Sequence, residues 1–242
     1  MQYDFNEFFE RYETIVSKVD SMVERIRSEY PEEVTCELGC TDCCYAMFDL
    51  TLIEAMYLNK QFQENLSEEP RSRILEEADR ADREAYRIKR KMYKEHQKGV
   101  PDEAIFEEVG KKRLRCPLLT DNNDCILYKY RPITCRVYGV PMSINGEVHT
   151  CAQSGFVTGN QYPAIYMDKI HQSLLKLSHE LVGSITTKHI KLGEVLVPVS
   201  MALLTEYDDD YLGIVKRDNE SCETSSDFVW TVPGPEGDGQ NG

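Results

Sequence analysis

The stretch Cys36-Glu-Leu-Gly-Cys40-Thr-Asp-Cys43-Cys44 places four thiols within nine residues. A second group follows a long segment without cysteine and consists of Cys116, Cys125, Cys135 and Cys151. We call these the first and second cysteine blocks. Thiols at short loop spacings are typical of metal ligands, so the sequence predicts a fold organised around a metal centre. The ninth cysteine, Cys222, stands alone in a polar segment, and we expect it to have no role there.

The cellular compartment decides whether clustered cysteines form disulfides or bind metal. The chain starts Met1-Gln-Tyr-Asp-Phe-Asn-Glu, without the basic and apolar segments of a secretory signal. No segment approaches the roughly 20 apolar residues that cross a bilayer. We therefore expect a cytoplasmic protein with no membrane partner, whose thiols stay reduced and available to metal.

Composition limits the classes of partner. The chain has 242 residues and a formal net charge of −14 at pH 7. Binding to a phosphate backbone needs a basic surface, so we expect no nucleic-acid partner. A protein partner, such as one that exchanges electrons, is compatible with this charge.

Hydrophobic periodicity predicts a mainly helical chain. Apolar residues recur every three or four positions over 5–26, which predicts an amphipathic helix. Thr51 and Glu54 have the spacing of a capping box and predict a second helix over 52–63. A third helix is expected over 67–98, with a narrow apolar stripe and an otherwise charged surface.

Short strands are expected around the second block. Residues 114–128 and 142–149 each have the pattern of a hairpin, the latter because of its Asn-Gly turn pair. A further helix is expected over 164–182. The apolar segment 195–204 is compatible with either a helix or a buried strand.

These elements predict a mainly α fold with short β-hairpins, compact around a cysteine-rich metal centre and carrying a long helical insertion. Its expected parts are an N-terminal amphipathic helix, a cysteine-cluster domain that includes the charged helix, a C-terminal helical part packed on it, and a disordered acidic tail. They cover 1–30, 31–156, 157–216 and 217–242, respectively.

The first block has the spacing of an iron–sulfur ligand set. Cys36, Cys40 and Cys43 are separated by three and two residues, which lets their thiolates hold one face of a cubane cluster. Cys44 follows directly, and neighbours in an extended chain point to opposite sides. We therefore expect two sets of four thiols, each drawing on both blocks, with the intervening helices folded back over a shared centre.

Four cysteine thiolates hold either zinc or an iron–sulfur cluster. The second block lacks the closely paired cysteines of structural zinc sites, which favours a cluster of the [4Fe–4S] type, with zinc as the alternative. Arg131 and Arg136 flank Cys135 and are expected to place positive charge and N–H donors near the sulfurs, where such donors set the reduction potential. Ordinary surface ion pairing is the alternative role for both arginines.

The combined motifs resemble those of a known family. The run Cys36-x3-Cys40-x2-Cys43-Cys44 is followed by Cys116-Pro117, Cys125-Ile-Leu-Tyr128 and Arg131-Pro132-x-x-Cys135-Arg136. This pattern is similar to the bacterial and archaeal cysteine-cluster family that is described as zinc- or iron-chelating or as containing an iron–sulfur cluster. A related signature occurs in the flagellin lysine methylases. The resemblance covers residues 36–151 and implies a metal, while leaving the reaction open between redox and methyl-transfer chemistry.

Two other classes of protein share parts of this pattern. Radical S-adenosylmethionine enzymes have the same three-two cysteine spacing, but there it follows the first strand of a barrel and carries an aromatic residue where this chain has Asp42. A zinc-stabilised structural or interaction module without catalysis is the main alternative. The sequence contains no phosphate loop, nucleophile elbow or His-Glu-x-x-His helix that would identify an enzyme.

Overall fold

The fold is mainly helical, as predicted. The computed structural model describes residues 3–215, so the expected tail and Cys222 lie outside the described residues. The elements in chain order are α1 (Asn6–Glu29), β1 (Asp49–Thr51), α2 (Leu52–Asn65), α3 (Glu68–Gln97), α4 (Asp102–Gly110), α5 (Ile133–Val137), β2 (Met142–Ile144), β3 (Glu147–His149), β4 (Ile165–Tyr166), α6 (Met167–Gly183), β5 (Leu196–Pro198) and α7 (Val199–Leu204). Within the described part of the chain, none of these helices has the length and apolar character needed to span a bilayer.

Helix α2 lies at the centre of the hydrophobic core. Residues 52–58 are all buried, because α1, α6 and α7 pack around this helix. The capping box predicted at Thr51 and Glu54 is present at its start. One continuous cluster of buried side chains runs from Phe5 to Leu212. The N-terminal helix, the cysteine segments and the C-terminal helices therefore share one core.

The long charged helix α3 buries only a narrow stripe of small and aliphatic side chains: Ile74, Ala78, Ala81 and Ala85. It packs mainly against α7. Beyond the stripe, Lys89 Nζ donates to both carboxylate oxygens of Asp49 at 2.8 Å. Since Asp49 starts β1, this ion pair ties the C-terminal half of α3 to the segment that follows the first cysteine block.

The strands form two small sheets. β1 pairs antiparallel with β5, and β2 lies between antiparallel β3 and parallel β4. The hairpin predicted at 142–149 is confirmed. Its turn residues Asn145 and Gly146 have φ values of 52° and 83°, the left-handed conformations that a tight two-residue turn requires.

Three segments differ from the sequence-based expectations. At 114–128 the predicted hairpin is reduced to one antiparallel bridge between Leu119 and Cys125, with backbone hydrogen bonds on both sides of it. The reason is that backbone groups near Cys116 pair with the first cysteine block instead. The segment 195–204, for which a helix and a strand were both compatible with the sequence, contains one of each, because strand β5 leads directly into helix α7. Helix α4 has no counterpart in the sequence-based expectations.

Candidate metal centre

The two cysteine blocks lie side by side. The N–H of Cys116 donates to the carbonyl of Cys44 at 2.7 Å, and the N–H of Gly155 donates to the carbonyl of Glu33 at 2.8 Å. The first block is thus paired with the second at Cys116, and the segment just before the first block is paired with the segment just after Cys151. The expectation that the intervening helices fold back to join the blocks is confirmed.

One cavity of about 470 Å³ is lined by seven cysteines: Cys36, Cys40, Cys43, Cys44, Cys116, Cys125 and Cys135. Each of the seven residues is partly buried, and keeps part of its surface accessible. Residues of α3 and of the start of α7 also line the cavity, and they include Ala81, Ala85, Lys89 and Val199. The cavity is therefore lined by thiols and by apolar side chains, and α3 forms part of its wall.

Cys43 and Cys44 face this cavity together. They lie in a 3-10 turn over Asp42–Tyr45, where consecutive side chains are about 120° apart. The extended geometry assumed for them is wrong, and the main reason for dividing the thiols into two sets falls away. The division itself stays a prediction.

Hydrogen bonds among thiols single out Cys43. The thiols of Cys135 and Cys44 both bond to the sulfur of Cys43, and they lower its pKa to about 3. The same bonds, together with burial, raise the pKa of Cys44 and of Cys135. The geometry thus favours one thiolate stabilised by two neutral thiols.

Backbone N–H groups also point at the sulfurs. Burial raises the pKa of Cys116 to about 12, against the lowering effect of the hydrogen bond from the N–H of Leu118. Burial likewise raises the pKa of Cys125, and the N–H of Leu127 opposes that rise. In both cases the donor lies two residues along the chain from the sulfur. The backbone N–H groups would stabilise the thiolate form of Cys116 and Cys125. Burial makes that charged form unfavourable unless a cation lies near the sulfurs.

Arg131 lies on the cavity wall. Its guanidinium carbon is 4.1 Å from the centroid of the Tyr128 ring. Its buried Nε has no hydrogen-bond partner among the described residues. Burial raises the pKa of Cys36 and of Cys125, and the charge of Arg131 opposes both rises. The structure thus places positive charge beside the thiols at this arginine.

Two residues predicted for the site lie away from the cavity. Cys151 Sγ is 3.4 Å from Asp42 Oδ2 and donates its proton there. Arg136 Nη1 donates to Asp20 Oδ2 at 2.7 Å, and its Nε donates to the carbonyl of Arg131 at 2.9 Å. Arg136 therefore ties the loop that carries Arg131 to α1, and Cys151 belongs to a neighbouring polar cluster.

Sequence reasoning missed a second role for Glu54. This buried carboxylate accepts the N–H of Thr51 at 3.2 Å and the N–H of Ile133 at 3.3 Å. It therefore fixes the start of α2 and the start of α5, the short helix that carries Cys135. The capping-box pattern reveals the first partner, but no local signal reveals the second.

The donor set around the cavity suits a group held by several thiolates. Among the side chains that the structure describes, no three or more of Cys, His, Asp or Glu form a ready-made site for a metal ion; seven cysteines instead lie along the wall of a larger cavity. Comparison of the chain with models of known protein families, with curated proteins and with solved structures finds no match.

Proposed function

We propose that this chain is an iron–sulfur protein whose cluster is bound by thiolates of the cysteine cavity. The observation that carries the proposal is that seven cysteines from both blocks line one cavity. Soft thiolate ligands suit iron–sulfur clusters and zinc, whereas magnesium and calcium take oxygen ligands. The chemistry of the donors therefore favours these two over magnesium and calcium.

The size of the cavity favours the cluster. Four thiolates around zinc lie about 2.3 Å from a single ion, and such a site leaves no space inside the ligand shell. Here seven cysteines are among the residues that line a cavity of about 470 Å³. That cavity has room for a polynuclear group, which a shell closed around a single ion would not need.

Cys43, Cys116, Cys125 and Cys135 are the ligand set that we propose. The charge of Cys43 raises the pKa of each of the other three, as it also raises those of Cys36 and Cys44, so the charge alone does not separate the four from these two. The sulfurs of Cys116 and Cys125 accept hydrogen bonds from backbone N–H groups, and such bonds stabilise a thiolate. Arg131 offsets negative charge at the same wall. A bound cluster would supply one-electron transfer, and redox chemistry is the activity that this arrangement supports best, with methyl transfer as the alternative suggested by the motif resemblance.

Anaerobic purification followed by iron, sulfide and zinc analysis tests the proposal. We expect iron and sulfide in equal amounts and a brown protein that absorbs visible light. Cys135→Ser should lose most of the iron, whereas Cys151→Ser, outside the cavity, should keep it. A colourless protein with stoichiometric zinc, and no cluster after reconstitution, would establish the zinc-stabilised module instead.

A further inference from the structure

The C-terminal half of α3 carries a local positive charge. Residues 83–98 hold seven Lys or Arg and two Glu, a net +5, so the rest of the chain carries −19 within the total of −14. The exposed cations and two exposed tyrosines of this half form what we call the basic face of α3: Arg83, Tyr86, Arg87, Arg90, Lys91, Tyr93, Lys94 and Lys98. A partner with an acidic surface is therefore attracted to this face and repelled by the remainder of the chain taken together.

Two cations of the basic face have no carboxylate partner. No carboxylate of a described side chain lies within ion-pair distance of Arg90 or Lys94. Lys98 and, to a smaller extent, Lys91 act on Glu95 and lower its pKa. The other cations are held in exposed ion pairs within the helix: Arg83 with Asp79, Arg87 with Glu84, and Lys98 with Glu95. Arg90 and Lys94 are thus free to pair with carboxylates of a partner.

The two tyrosines lie on the same side of the helix as the free cations. Tyr86 and Tyr93 are 64% and 61% exposed. Arg90 follows Tyr86 by four residues and precedes Tyr93 by three, and this spacing makes the three side chains neighbours on a helix surface. Tyrosine and arginine are enriched at protein–protein interfaces, where a few such residues carry most of the binding free energy. The basic face therefore has the composition of a surface that binds a protein.

The size of the basic face suits a brief encounter with a protein. Over residues 83–98 the helix rises about 22 Å, and the face is one helix wide. Electron-transfer encounters have the smallest specific interfaces, below about 1,200 Å² in total. A long phosphate backbone would instead run past the face, because acidic residues outnumber basic ones by six to three over 68–82 and α4 begins with Asp102 and Glu103.

The same helix lines the thiol cavity. Lys89 and Met92 contribute to the cavity wall, whereas their neighbours Arg90, Lys91 and Tyr93 are exposed. A helix with its side chains is about 10–12 Å across. A protein bound to the basic face therefore lies within about one helix width of residues that line the cavity.

We propose that the basic face of α3 is the docking surface for a small electron-carrier protein with an acidic patch. The proposal rests on the proposed function, because the cluster is the group that exchanges an electron with the carrier. One electron passes between the two centres, so that one is oxidised as the other is reduced. Complementary charge steers the carrier to this face and sets its orientation.

Binding of a fluorescently labelled acidic [2Fe–2S] ferredoxin tests the proposal. The ferredoxin is titrated at pH 7 with the cluster-loaded chain and with the metal-free chain, and binding is followed by fluorescence anisotropy. We expect a complex at about 20 mM salt that weakens at least tenfold at about 500 mM, where exposed charges are screened within a few ångströms. No binding to either form at the lower salt concentration would overturn the proposal.

Matched variants test the location. Arg90→Glu combined with Lys94→Glu should weaken ferredoxin binding at least tenfold at low salt. Lys18→Glu combined with Lys191→Glu makes the same change in net charge at exposed positions outside α3, and it should bind within about threefold of the unmodified chain. Circular dichroism checks that both variants keep their helices. Equal weakening by the two pairs would refute the assigned face.

Two measurements test other occupants of the basic face. A single-stranded RNA of about 16 nucleotides, a length that such binding sites cover, is titrated in the same way, and sedimentation measures the mass of the chain alone. We expect RNA to bind more weakly than ferredoxin, and a monomer. Tighter binding of RNA that depends on Arg90 and Lys94, or a dimer that the double variant dissociates, would overturn the proposal.

Stopped-flow absorption measures the electron exchange between reduced ferredoxin and the cluster-loaded chain. Its rate at low salt should fall at least tenfold in the variant with Glu substituted for both Arg90 and Lys94. The two proposals fail separately. A chain without iron that still binds ferredoxin through Arg90 and Lys94 removes only the cluster, and an iron-loaded chain that binds no ferredoxin removes only the docking surface.

Discussion

Gly139 lies directly against Cys36. A methyl group built at position 139 would overlap the Cβ of Cys36 and lie 3.1 Å from its sulfur. The close approach of the two backbones, rather than an unusual backbone angle, is what requires glycine at this position. It brings the segment after α5 next to the start of the first cysteine block.

Gly139→Ala should therefore displace Cys36 and destabilise the metal-free protein by about 1–3 kcal/mol, the usual cost of overpacking. Urea unfolding measures the loss. Gly183→Ala is the control, because a methyl group there meets no atom within 4 Å, and it should be neutral or slightly stabilising. Equal stability of the two variants would show that the region around Cys36 adapts freely.

Glu54→Ala should destabilise the protein by about 2–3 kcal/mol, because it leaves the buried N–H groups of Thr51 and Ile133 unpaired. The control is Glu64→Ala on the same helix, which removes an exposed pair with Lys60 and should change stability by less than about 1 kcal/mol. Urea unfolding compares them. A similar small loss in both variants would contradict the role assigned to Glu54.

Alkylation of the metal-free protein should show one cysteine with an unusual pH dependence. Hydrogen bonds from Cys135 and Cys44 lower the pKa of Cys43 to about 3, so it is already a thiolate at pH 5 and its rate should stay flat up to pH 8. Burial raises the pKa of Cys116 to about 12 and that of Cys151 to about 11. The thiolate fraction of both should therefore rise about tenfold per pH unit over the same range.

Mass spectrometry of digested samples, taken from pH 5 to 8, separates these rates. Cys135→Ala removes one donor to Cys43 and should make the Cys43 rate increase with pH. A Cys43 rate that rises in parallel with that of Cys151 in the unmodified protein would show that the hydrogen bonds do not stabilise its thiolate.

Arg131→Gln should make the cluster harder to reduce. The positive charge of Arg131 lies beside the thiols and favours the more negative, reduced state. Its removal should lower the midpoint potential by tens of millivolts, on the order of the 59 mV that corresponds to a tenfold change for one electron. Redox titration followed by visible absorption measures this shift.

Lys129→Gln is the matched control, because Lys129 is exposed and does not line the cavity. Its potential should stay close to that of the unmodified protein. If both substitutions lower the potential equally, long-range charge rather than the position of Arg131 is responsible.

Local patterns predicted much of the fold. The period of α1, the capping box of α2 and the Asn-Gly turn between β2 and β3 each depend on residues close together in the chain, and all three are present. The narrow stripe of α3 was predicted for the same reason. Such features need no knowledge of distant partners.

The arrangement of the site depended on distant partners and was predicted only in part. The backbone hydrogen bond between Cys116 and Cys44 leaves only a shortened form of the hairpin expected at 114–128. The 3-10 turn that lets both Cys43 and Cys44 line the cavity has no clear signal in the sequence. Cys151 and Arg136 resemble site residues in sequence, but bonds to Asp42 and Asp20 hold them elsewhere.

The pairing of the two blocks also sets an order of events during synthesis. A ribosome adds roughly 5–20 residues per second, so the first block leaves it several seconds before Cys135 is made. Through that interval the nascent chain carries four thiols with no cavity around them. Assembly of the proposed cluster would therefore have to wait for the second block, and a chain stopped within α3 would carry the first four thiols without the cavity.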